Sequence, residues 1–169
     1  MAPPEGGDAR PRGNVPAALV ENEGERLGAL RALRVLDSAT PPDLQWLVEV
    51  CSQVFQVPIC LVSLVEDSRQ WFWSAWGLDA KQTGREESFC AHAMLKREEI
   101  FVVLDTWEDE RFAHNVLVTG HPNIRFYAGM PLNIEMKLPA GRGGGGAGGG
   151  RRRPRRRARP LSCAWARYA

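Results

Sequence analysis

The sequence predicts an α+β domain built around a β-hairpin, and three observations carry that prediction. Ile59 to Val65 (ICLVSLV) has one polar member in seven, which suits a strand buried on both faces in the middle of a sheet. Glu66-Asp67-Ser68 supplies turn chemistry, and the aromatic-rich run from Gln70 to Trp76 fits the half-buried surface of a second strand. Two segments with helical periodicity precede this hairpin.

The first helix is predicted from Glu23 to Leu36. Asn22 stands at its cap and Glu25 three residues on, the spacing of a reciprocal cap. Leu27, Leu30, Leu33 and Leu36 share an apolar stripe with Val35, and Arg26, Arg31 and Arg34 fall off it. Such a helix packs on its own domain or pairs with a second copy. After a break at Asp37-Ser38-Ala39, Thr40-Pro41-Pro42-Asp43 reads as a capped start with proline in the first turn. The second helix runs to about Phe55 and presents Leu44, Leu47, Val48, Cys51, Val54 and Phe55 as one face. Pro58 prevents its continuation.

Beyond the hairpin, Gly77-Leu78 closes the second strand and the polar run from Asp79 to Glu87 reads as an exposed loop. Ser88 caps a short helix that holds Phe89, Cys90 and His92. A third strand covers Ile100 to Leu104, followed by a long loop with one helical turn near Arg111 to Asn115. His121-Pro122-Asn123 is a turn. A fourth strand covers Ile124 to Met130, with Ile124, Phe126 and Ala128 alternating against Arg125, Tyr127 and Gly129.

Length and composition set the bounds. The 169 residues, 44% of them hydrophobic, predict one domain with a modest core. No apolar run approaches the ~18–20 residues that cross a bilayer, and the start MAPPEGGDARPRG has no signal-peptide segment, so cytoplasm is the default compartment and no membrane partner is expected. Residues 1–21 read as a disordered leader, 22–138 as the domain and 139–169 as a disordered tail. The tail distorts the charge balance. Residues 1–140 carry 13 basic and all 20 acidic side chains, whereas 141–169 carry nine arginines and no acid. The basic pI therefore says nothing about the domain's partner. The glycine run 141–150 cannot form a core, and its composition, with the arginines behind it, is that of GC-rich sequence outside a genuine frame.

Five ordered blocks, NEGERLGALRALRVLDS, VPICLVSLVEDSRQWFWSAWGL, TGREESFCAHAML, VVLDTWEDERFAHNVLVTG and IRFYAGMPL, resemble the GAF domain family, in the subgroup found at the N-terminus of bacterial and algal signalling proteins. The resemblance covers residues 22–132. It implies a GAF-type antiparallel sheet flanked by helices. It also implies a non-catalytic sensory module that binds a small ligand or a partner and relays to a kinase or cyclase output domain, as in a phosphorelay. In this subgroup a Gly-turn, a strand of the type LGTLCVID and a final helix follow the block ending GMPL. Here glycine and arginine follow instead. The resemblance therefore implies a truncated domain that lacks the last strand, a central one, and leaves two edges unpaired.

The ligand-pocket candidates are Trp71, Phe89, Cys90, His92, Asp105, Arg111, Arg125 and Tyr127. Within the family a pocket cysteine can hold a bilin, with a histidine stacked on it. SFCAHA is the subgroup's ordinary helix start, however, and residues two apart point to different faces. Cys90 therefore reads as a core residue and His92 as a surface or capping one. Arg125 and Tyr127, with Asp105, Arg111 and Trp71, could converge on an anionic metabolite. The favoured reading is that Arg111 or Arg125 pairs with Asp105 or Asp109 and pins the long loop. No catalytic residue, metal set or cofactor is assigned, and the glycines match no P-loop. Three alternatives stand beside the sensory reading. One is a structural dimerisation module without ligand. Another is the family's free methionine sulfoxide reductase branch, which needs a resolving cysteine near a reactive one. The third is nucleic-acid binding through Arg151, Arg152, Arg153, Arg155, Arg156 and Arg157.

Overall fold

A computed structural model describes residues 13–96, 99–135 and 157–168. Its elements, in chain order, are α1 (Glu23–Ala32), α2 (Pro42–Phe55), β1 (Ile59–Val65), β2 (Arg69–Trp76), β3 (Gln82–Gly84), α3 (Phe89–Ala93), β4 (Phe101–Val103), α4 (Val116–Thr119), β5 (Ile124–Glu135) and β6 (Arg157–Tyr168). The strands form one antiparallel sheet in the order β3-β2-β1-β6-β5-β4. As the sequence predicts, β1 is buried along its whole length. It separates two apolar clusters. Cys60, Val62 and Leu64 face Leu30 of α1 and Val48 of α2, while Ile59, Leu61 and Val65 face Phe72, Phe89, Phe112 and Tyr127.

The slot expected to be vacant holds β6. This strand pairs with β1 from Ile59↔Ala166 to Leu64↔Leu161 and with β5 from Ile124↔Tyr168 to Glu135↔Arg157. The expectation of a disordered tail through 169 and of a missing central strand is corrected there. Reading 139–169 as one unit merged two compositions. Glycine runs disfavour strands, whereas LSCAWARY contains no glycine or proline and spaces Leu161, Trp165 and Arg167 at odd positions against Ser162, Ala164 and Ala166. A strand buried on both faces also needs hydrogen-bond partners on both sides. Pro160 falls where β6 carries an extra residue opposite β5, the kind of position that tolerates a missing N–H. Residues 1–12 and 139–156, including Arg151, Arg152, Arg153, Arg155 and Arg156, lie outside the described residues, and Arg157 opens β6.

Other expectations shift in detail. Helix α1 ends at Ala32, with Arg34 left-handed at φ 53°, and Asn22 makes no side-chain cap. Arg26 is buried at 2% exposure rather than solvated, because it lies one turn before Leu30 on the inward face. Helix α2 buries a narrower face than its periodicity suggests. Val48 and Ser52 point inward and the Ser52 hydroxyl donates to Val57 O at 2.8 Å, while Leu47, Val54 and Phe55 stay exposed beside Trp46. Thr40 does not cap α2. The β1–β2 register shifts at Val62/Ser63, leaving Trp73 as the extra residue, and Thr40 Oγ1 donates to the Trp73 carbonyl at 2.6 Å.

The stretch expected as the loop 79–87 contains β3, which pairs along β2 and covers an otherwise open edge. The leader, expected to be disordered to residue 21, is held from residue 13 onward. Val15 N donates to Arg111 O at 3.3 Å, Asn14 Oδ1 accepts from Asn115 Nδ2 at 3.0 Å, and Ala17 and Val20 pack on the core. Hydrogen-bonded turns form near the expected 111–115, with Ala113 N donating to Asp109 O at 2.9 Å, and a short helix follows at 116–119, where the Asn115 side chain accepts from Leu117 N at 2.9 Å. Among the described residues, no helix is long and apolar enough to cross a membrane.

Candidate functional site

One face of the sheet carries a cavity of about 270 Å³. Its floor follows from strand alternation: Ile59 and Leu61 from β1, and Gln70 and Phe72 from β2, are residues of like phase on neighbouring strands. A register shift between Ile124 and Phe126 adds one residue to β5 and reverses its phase, so Ile124 and Tyr127 reach the same cavity despite their odd spacing. The alternation expected for this strand fails at that point. Phe89 and Cys90 of α3 form the roof, positioned by Ser88, whose hydroxyl accepts from Ala91 N at 2.9 Å. Leu78, Asp79 and Ala80 and, opposite them, Leu117, His121 and Pro122 complete the wall. Asp79, Ala80 and His121 are exposed and mark the mouth.

The polar groups inside are few. Cys90, 2% exposed, accepts from Gln70 Nε2 at 3.0 Å and from the Tyr127 hydroxyl at 3.4 Å. Tyr127 reaches it because Gly129 has no side chain. A Cβ there would lie 2.2 Å from the tyrosine oxygen. Thr83 of β3 also lines the cavity, and its buried Oγ1 finds no hydrogen-bond partner among the described residues.

Of the eight candidates read from the sequence, Phe89, Cys90 and Tyr127 converge on this cavity. Trp71 is buried in the opposite cluster, under the helices. His92 is buried, not at the surface. The leader covers it, its Nε2–H donates to Val15 O at 2.9 Å, and its ring meets Phe112 edge-on at 4.7 Å. Burial lowers its pKa from the ordinary 6.5; the Val15 carbonyl opposes this, and the nearby Arg111 adds to it.

The remaining three candidates pin the long loop. Asp105 Oδ1 accepts from Trp107 N at 2.8 Å. Arg111 grips Asp109 through Nε at 2.8 Å and Nη2 at 2.5 Å, with its guanidinium 5.0 Å above the Phe101 ring. Arg125 donates to Val118 O at 2.9 Å and stacks 5.0 Å over Trp107. Gln70 and Thr83 escaped the sequence reading. The period-2 relation of Gln70 to Phe72 was the available signal for the first. The second lay in a stretch read as loop.

The buried charge of the domain lies elsewhere. Glu23 accepts from Arg26 at 2.8 and 2.7 Å and from Arg85 at 2.6 Å. Arg26 continues to Val65 O at 2.6 Å, and Arg85 reaches the Glu66 carbonyl. This network fastens α1 to the β1–β2 turn and to the loop after β3.

The GAF domain family model matches residues 42–138. A cyclic di-GMP phosphodiesterase of Pseudomonas aeruginosa is 40% identical over 112 residues, 66% of this chain and 19% of that protein, so the chain spans about a fifth of the length of that relative. A far-red cyanobacteriochrome photoreceptor is similar in structure with a TM-score of 0.53 at 12% identity, over 84% of this chain and 78% of the other. The GAF domain of an Acinetobacter phosphoenolpyruvate-protein phosphotransferase gives 0.48 at 15% identity, over 88% and 79%.

Proposed function

The chain belongs to the GAF domain family, and from that membership we propose that it is the sensory module of a larger signalling protein, binding a small molecule in the cavity between its sheet and α3. The observation that carries this reading is the cavity itself, a concave, largely apolar space with a few polar groups, as small-ligand sites are. Occupation would favour one packing of α3 and the loop 105–123 over another and so bias an output unit outside this chain. The name of the Pseudomonas relative makes a cyclic-dinucleotide phosphodiesterase one candidate for that unit, beside a kinase or a cyclase.

The module has no turnover of its own on this reading. Among the described side chains, Cys51 and Cys60 belong to the opposite side of the sheet from Cys90, which disfavours a reductase pairing either of them with Cys90. The reading is tested by thermal shift against a small-molecule library. A ligand should raise the melting temperature with the logarithm of its concentration. Leu61→Trp, which fills the cavity, should abolish the response. A library that moves neither wild type nor variant counts against the reading.

A ligand-free dimerisation unit is the second reading. The exposure of Trp46, Leu47, Val54 and Phe55 on α2 supports it, with α2 rather than α1 as the proposed contact. Sedimentation of wild type and Val54→Glu decides it. A dimer lost in the variant supports it, and a monomer at all concentrations removes it.

A further inference from the structure

We propose that residues 13–20 are a releasable clasp that joins α3 and α4, the roof and one wall of the cavity, into a single closing unit. The clasp goes beyond the ligand-binding reading, and its test uses no ligand, so its failure leaves that reading standing.

The sequence GNVPAALV sets the form of the segment. Pro16 has no N–H and disfavours helical backbone at Val15, so the chain here cannot satisfy its own backbone groups and needs partners elsewhere. Those partners lie on residues 86–92 and on the long loop. The Val15 carbonyl accepts from His92 Nε2 of α3 at 2.9 Å, and Val15 N donates to Arg111 O at 3.3 Å. Asn14 Nδ2 donates to the Glu86 carbonyl just ahead of α3, and Asn14 Oδ1 accepts from Asn115 Nδ2 at 3.0 Å. Two adjacent residues thus anchor the segment at both places.

The far ends of these anchors belong to the cavity wall. In α3, Phe89 and Cys90 line the cavity, and His92 turns to the clasp. Asn115 is the N-cap of α4, whose Leu117 lines the cavity. The Asn115 side chain is 1% exposed. Its Oδ1 accepts from Leu117 N at 2.9 Å, and its Nδ2 donates to Asn14 and to the Glu87 carbonyl, each at 3.0 Å. The two helices have five and four residues, well short of the ~12–15 that an isolated helix needs, so tertiary contacts hold them. Release at Asn14 and Val15 removes such a contact from both at once, which makes their opening one event.

The clasp has a fixed hinge. Val20 O accepts from Glu23 N at 3.1 Å, and Glu23 is held in turn by Arg26 and Arg85. Between hinge and anchors, Ala17 and Val20 are only partly buried on the core and Leu19 is 66% exposed. Few buried apolar contacts put a segment at the low-stability end of a structure; β1, buried along its length, stands at the other end.

The test is native-state amide exchange of the full chain, resolved by residue with NMR, in wild type and Asn14→Ala. The amides of Val15, Met94 at the end of α3 and Val118 in α4 are compared with those of β1; they donate to Arg111, Cys90 and Asn115 respectively. Expected is a common acceleration of about tenfold at the three sites, with β1 within about twofold of wild type. If Val15 alone accelerates, the segment does not hold the wall and the proposal is overturned. It is equally overturned if β1 accelerates as much as the three sites, since Asn14 then supports the fold as a whole, or if nothing changes. Should Asn14→Ala not fold, exchange of the wild type in urea below its unfolding transition decides. One opening shared by Val15, Met94 and Val118, at lower free energy than that of β1, supports the clasp, and separate openings overturn it.

Discussion

Replacing Glu23 with glutamine removes the one carboxylate between two buried guanidinium groups. Arg26 is 2% and Arg85 7% exposed, and three hydrogen bonds of 2.6–2.8 Å converge on Glu23. Breaking a buried ion pair from one side leaves an uncompensated charge and costs about 3–5 kcal/mol. Glu23 keeps a side-chain exposure of 13%, so the low end, about 3 kcal/mol, applies. Against a total stability of roughly 5–15 kcal/mol this is a large fraction. With a urea slope near 2 kcal/mol/M, the unfolding midpoint should fall by about 1.5 M.

The pH dependence gives a second check. Burial alone would raise the Glu23 pKa, but the hydrogen bonds and charges of Arg26 and Arg85 prevail and hold it below its ordinary 4.5. A depressed carboxylate contributes stability that is fully present above the unfolded value and lost as pH falls through the folded one. Urea curves of wild type and Glu23→Gln should therefore differ at pH 7 and converge in acid. A cost under about 1 kcal/mol at neutral pH, or a gap that persists on acidification, would refute the reasoning.

His92 provides the complementary case. Its folded pKa lies below the unfolded 6.5, so the unfolded chain takes up the proton first and stability falls as pH drops from 6.5 through the folded value. His92→Gln, which retains a donor for Val15 O, should lack that slope in melting temperatures taken from pH 7.5 to 5.0; equal slopes would show that His92 is not the group responsible. Gly77→Ala should lower the melting temperature by about 6–12 °C, from a cost near 3 kcal/mol. Gly77 has φ +73° and an added Cβ would lie 1.8 Å from Pro58 O, so a variant melting within about 2 °C of wild type would mean that the turn relaxes freely.

Much of the architecture was legible because local signals agree with the global fold. The run Ile59–Val65, the proline start of α2, the Ser88 cap and the order of elements each report a short-range preference that packing did not override. The paired reading of Arg111 with Asp109 was legible for the same reason, since the two lie two residues apart. Two features hid the rest. Bulges at Trp73 and in β5 after Ile124 reset the side-chain phase, and no periodicity rule carries across them. Long-range burial, as of His92 under the leader, depends on segments far apart in the chain.

The sequence alone determined the family, the hairpin at the centre of the sheet and the two helices before it, because hydrophobic periodicity and turn chemistry act over a few residues. Only the tertiary structure decided that residues 157–168 complete the sheet, that Glu23 joins Arg26 to Arg85, and that Cys90, Tyr127, Gln70 and Thr83 share one cavity. Each of these is a meeting of residues distant in sequence, fixed by strand register and by the need to satisfy buried backbone and charge.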